Sequence, residues 1–104
     1  MIQTSFVQFS VKPFFIREPD DITVTAGNNA ILVCEVGGDP TPTLMWHRED
    51  GKMPVGRTSV KDGELRIQEA MPADEGVYVC QAENQGGSIS VGASLAVHGK
   101  LVRL

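Results

Sequence analysis

Residues 74–84 read DEGVYVCQAEN, and from Gly76 onward Tyr78, Cys80 and Ala82 alternate with Val77, Val79, Gln81 and Glu83. A period of two marks a β-strand with one face turned to a core, because successive side chains point to opposite sides of the backbone. Asn84-Gln85-Gly86-Gly87 then supplies turn formers. The strand they return, residues 88–97, alternates strictly, with Ile89, Val91, Ala93, Leu95 and Val97 inward and Ser88, Ser90, Gly92, Ser94 and Ala96 outward.

Working back from this pair, Met71-Pro72-Ala73-Asp74 reads as a bend, and residues 57–61 and 64–68 as short strands joined by Asp62-Gly63, with Leu65 and Ile67 inward. Residues 43–48 form a strand with Leu44 and Trp46 inward and Met45 and His47 outward, followed by a hairpin-type turn at Asp50-Gly51. GGDPTP, residues 37–42, reads as a connection, and residues 30–36 as a strand with Ala30, Leu32, Cys34 and Val36 inward. Gly27-Asn28-Asn29 is a turn. Residues 13–18 start the first strand, which Pro19 interrupts for want of a ladder N–H and residues 22–26 resume. Short strands with turn residues at intervals of roughly 8 to 12 positions give an all-β chain with no helix beyond a single turn.

The chain has 104 residues, 41% of them hydrophobic, and 9 Lys and Arg against 13 Asp and Glu, a formal charge of −4. That is one domain, placed at residues 13–98, with residues 1–12 and 99–104 read as flanking segments. Residues 1–11 hold no cation and no apolar core of secretory-signal length, and no run approaches the roughly 18 apolar residues a membrane span needs. Direct membrane insertion is set aside, and an acidic chain with no basic stretch is equally ill suited to nucleic acid. Two Cys and two His cannot fill a four-ligand zinc site, and the usual catalytic and phosphate-binding spacings are absent. His47 and His98 have no nucleophile or carboxylate at relay spacing. The expectation is a protein that is not an enzyme and carries no cofactor.

Cys34 and Cys80 lie on inward faces of different strands, so a disulfide between them is the economical reading. The two are 46 positions apart, and closing a loop of that length is worth about 4 kcal/mol in the chain-entropy model. Trp46 follows Cys34 by twelve positions and Tyr78 precedes Cys80 by two. This is the order of an immunoglobulin-like β-sandwich: two antiparallel sheets with Greek-key connections, cored here by Trp46, Leu65 and Tyr78. The interval between the cysteines leaves no room for the extra strand pair of a variable-type domain.

Residues 13–19, GDPTP at 38–42 and the D-x-G-x-Y-x-C-x-A-x-N run from Asp74 to Asn84 resemble the I-set subgroup of these domains. PFFIREP, VGGDPTP, DGKMPVGR at 50–57, DEGVYVCQAEN and ASLAVH at 93–98 together resemble a membrane-distal immunoglobulin repeat of a roundabout-family axon-guidance receptor. The resemblance implies a non-catalytic recognition or spacer module in the extracellular part of a single-pass cell-surface receptor. The partners it implies are neighbouring repeats of the same receptor, another receptor copy, or the secreted guidance ligand Slit. It also implies an ion pair between Arg57 and Asp74. The alternative is an intracellular structural I-set repeat of a muscle-type scaffold, where the two cysteines would stay reduced.

For such a module the candidate protein interface is the outer face of the strands at residues 43–48, 76–84 and 88–97, above all Met45, His47, Val79, Gln81, Ser90 and Ser94. Small side chains beside Met45 and Val79 make a flat, partly apolar surface, although a plainly solvated strand face is the weightier reading. Arg48, Lys52 and Lys61 are a weaker candidate contact for heparan sulfate, their field diluted by Glu49, Asp50 and Asp62.

Overall fold

The computed structural model describes residues 9–99. Nine strands follow in chain order: β1 (Val11–Arg17), β2 (Ile22–Thr25), β3 (Ala30–Val33), β4 (Glu35–Asp39), β5 (Thr43–Arg48), β6 (Thr58–Lys61), β7 (Glu64–Ile67), β8 (Gly76–Asn84) and β9 (Gly87–His98). A single 3₁₀ turn, Pro72–Asp74, precedes β8. The expected all-β sandwich is what the chain forms.

One layer is β1 paired with β4 and β3 paired with β7 and then β6, where β3 and β4 are one run broken at Cys34. The other is β2-β9-β8-β5, in which β2 runs parallel to β9 and the remaining pairs are antiparallel. Pro19 does more than interrupt the first strand: β1 belongs to one layer and β2 to the other. Between them, Asp21 Oδ1 accepts the Ser94 N–H at 2.7 Å and fixes the crossing to β9.

Inward positions of both layers meet in a core of Ala30, Leu32, Cys34, Trp46, Leu65, Ile67, Tyr78, Cys80, Ala93, Leu95 and Val97. Cys34 and Cys80 are bridged across the layers, with Cα atoms 6.6 Å apart. The indole Nε1 of Trp46 donates to the Gly63 carbonyl at 3.1 Å, so the largest core side chain also satisfies its one polar atom.

Three local expectations are corrected. Gly37, Gly38 and Asp39 are not connection but the end of β4, in register with β1 through Phe14↔Gly37 and Val11↔Asp39. Gly37 suits that strand because the Phe14 ring lies where a Cβ would stand. The first strand therefore begins at Val11, two residues ahead of the expected strand start at Pro13. Asp50-Gly51 turns, with the Gly51 N–H on the Arg48 carbonyl at 2.7 Å, yet the strand that follows it, β6, pairs with β7 and not with β5. Residues 1–8 and 100–104 of the expected flanks lie outside the described residues.

Candidate functional site

The ladder registers place the outer face of β5, β8 and β9 as rows of side chains. Thr43, Glu83 and Ser88 form one row, Met45, Gln81 and Ser90 the next, His47, Val79 and Gly92 a third, and Val77 and Ser94 continue it. Directly opposed side chains on such a face stand about 5 Å apart, so the six candidate interface residues form one contiguous patch. Met45 is 52% exposed at its centre. Ser90, Gly92 and Ser94 are exposed, and His47, Val79 and Gln81 half-buried. A Cβ on Gly92 would sit 2.9 Å from Val77 Cγ1, so the valine side chains of β8 lean over β9 and its small residues give them room. The result is a shallow surface with Met45 standing up from valine and serine neighbours.

One pole of the sandwich is held by a polar cluster. Arg57 donates Nη1 and Nη2 to the Asp74 carboxylate at 2.9 and 2.8 Å, and Nη1 also reaches the Gln68 and Glu69 carbonyls. Asp74 Oδ2 accepts the Met71 N–H at 2.8 Å. The Tyr78 hydroxyl donates to the Asp74 carbonyl at 2.6 Å. The guanidinium of Arg57, aided by the Met71 N–H, outweighs burial and holds the Asp74 carboxyl below its ordinary range. The same pairing raises Arg57, and burial raises Tyr78. Each group is thus held in its ordinary charge state at neutral pH, which suits a structural clasp and not proton transfer.

The three basic residues weighed for sulfated glycans do not share a face. Arg48 is withdrawn from that role: its side chain is only 13% exposed. Its Nη2 donates to the Ala73 and Glu75 carbonyls at 2.9 and 2.5 Å, and the guanidinium stands 5.7 Å from the Tyr78 ring centroid. Lys52 is exposed on the segment after β5, and Lys61 is exposed on β6 in the other layer, opposite Glu64.

Two features escaped the sequence. Asn84 Nδ2 donates to the carbonyls of Val11 and Pro40 at 2.8 and 3.0 Å while its Oδ1 accepts the Gly86 N–H, tying three segments together at the opposite pole. Its place just before Gly86-Gly87 was the available signal. Phe14, Ile16 and Ile31 are 49%, 63% and 42% exposed on the first layer, an apolar surface that strand alternation did not reveal because β1 is bulged.

The model of the immunoglobulin I-set domain matches residues 13–97. Among curated proteins, the chain is 44% identical over 88 residues to Protein sax-3 of Caenorhabditis elegans, covering 83% of this chain and 7% of that protein. It is 42% identical over 88 residues to Roundabout homolog 3 of Homo sapiens, covering 84% of this chain and 6% of that protein. The chain therefore spans a small part of the length of these relatives. Among solved structures, Sidekick-1 immunoglobulin domains 1-5 align at TM-score 0.82 and 34% identity, over 88% of this chain and 21% of that one. The Titin M10-Obscurin like 1 Ig complex aligns at TM-score 0.80 and 33% identity, over 88% and 99%.

Proposed function

Since the chain belongs to the immunoglobulin I-set domain family, we propose that it is a non-catalytic recognition or spacer module in the extracellular part of a roundabout-like, Slit-responsive guidance receptor. The observation that carries this reading is the likeness to sax-3 and the roundabout homologs, which extends over more than four-fifths of the chain. The Cys34–Cys80 bridge supports an oxidising compartment. The polar clasp of Arg57, Asp74 and Tyr78 serves the fold, and the patch around Met45 is the surface we assign to a partner. An intracellular scaffold repeat is the second reading, favoured by the titin alignment at lower identity.

Partners on this reading are neighbouring repeats, another receptor copy or Slit. Heparan sulfate keeps only Lys52 and Lys61 as contacts. Surface binding of the oxidised chain to Slit, to other roundabout repeats and to heparan sulfate tests the proposal. We expect a protein to bind, and Val79→Glu to abolish that binding with the melting temperature kept. Binding to heparan sulfate alone, or to nothing, would make the repeat a spacer.

A further inference from the structure

Uncovered strand edges are the other means by which a sheet meets a protein, because their N–H and C=O groups still seek partners. Three outer strands of this sandwich discourage it. β1 contains Pro13 and its register shifts twice, between Val11 and Phe14 and between Phe15 and Arg17. β2 and β6 have 4 residues each. β5 is different: it has 6 residues, no proline, and an unbroken register with β8 from Thr43 to Arg48. Its one fixed charge, Arg48, is turned onto the Ala73 and Glu75 carbonyls.

The ladder to β8 identifies the free groups. The Glu49 N–H donates to the Val77 carbonyl at 2.8 Å, which makes 49/77 a hydrogen-bonded pair. Hydrogen-bonded and non-bonded pairs alternate in an antiparallel ladder, so Thr43, Met45 and His47 bond to β8. Leu44 and Trp46 aim their N–H and C=O groups at the open edge, where no strand among the described residues pairs with them.

We propose that a second copy of this chain pairs along this edge, β5 against β5, antiparallel about a two-fold axis through Met45. A two-fold makes one strand its own partner. With the axis at Met45, Leu44 of each copy faces Trp46 of the other, and all the free donors meet free acceptors. Met45 then lies on Met45 as a non-bonded pair, the arrangement with Cα atoms about 4.5 Å apart and side chains closest. Thr43 faces His47 of the other copy. None of these side chains carries a fixed charge, which suits a copy better than an acidic or basic partner. The two four-stranded sheets become one sheet of eight. Each copy brings a charge of −4, so the dimer tightens as salt rises.

This pairing uses the backbone edge and lays the outer faces of the two copies side by side, with Met45 and His47 belonging both to the seam and to the rim of that face. Cysteine cross-linking with sedimentation equilibrium tests it. Met45→Cys is expected to form an intermolecular disulfide, since its distance falls within disulfide reach. Gln81→Cys is not, because it would stand about 14 Å from its copy, three strand spacings away. Cross-linking through both positions would mean face-to-face packing and would overturn the edge pairing while leaving recognition by the face intact. Absence of a cross-link at Met45→Cys, with the wild-type chain monomeric at about 1 mM, a concentration at which even weak specific pairs form, would overturn it outright.

Discussion

Asp74 is 3% exposed yet ionised, and every oxygen it has is engaged. Removing it leaves the Arg57 guanidinium and the Met71 N–H without their partner. Asp74→Ala should therefore cost about 3 kcal/mol, read by urea unfolding at pH 7. Because the folded carboxyl titrates below its unfolded value of about 3.9, its contribution is fully present above that pH and is lost as pH falls through the folded value. The wild type should lose stability more steeply below about pH 4 than Asp74→Asn does; parallel acid limbs would rule this out. The chain's resemblance to its family pointed to this pair. Arg48 was misjudged although alternation held the answer: it shares the inward parity of Leu44 and Trp46 and lies opposite Tyr78. A charge at an inward position was read as surface, when the end of the strand offers it carbonyls and a ring.

At the scale of elements, the turn Asp62-Gly63 is the most constrained connection. Both residues have positive φ, 51° and 81°, as a two-residue type I′ hairpin needs. The Gly63 carbonyl accepts both the Cys34 N–H and the Trp46 indole, and a Cβ there would run into the Cys34 carbonyl. Gly51 has a similar φ of 86° but open space around it. Gly63→Ala should cost about 3 kcal/mol and Gly51→Ala about 1 kcal/mol, measured by thermal unfolding. Equal losses would mean that backbone strain alone matters at both turns. β8 and β9 were legible almost to the residue because their alternation is unbroken. β4 was not, since glycines carry no alternation signal and only the Phe14 ring above Gly37 explains them as strand.

For the molecule as a whole, the sandwich was legible from the Cys, Trp and Tyr positions, because an inter-layer bridge and its packing partner allow few alternatives. The face proposed for recognition was legible only as a list of outward residues. Their assembly into rows depends on registers between β5, β8 and β9, which are set by distant turns. What distinguishes that face physically is its lack of internal employment: the polar groups at both poles are occupied in holding the fold, whereas Met45 and its neighbours hold nothing. The central claim is that this face meets the partner. Amide chemical-shift mapping of the oxidised, isotope-labelled chain, titrated with Slit and with other roundabout repeats, tests it most directly. Shifts should centre on Met45, His47, Val79, Gln81, Ser90 and Ser94; shifts confined to the poles or to the layer of Phe14 and Ile31 would contradict it.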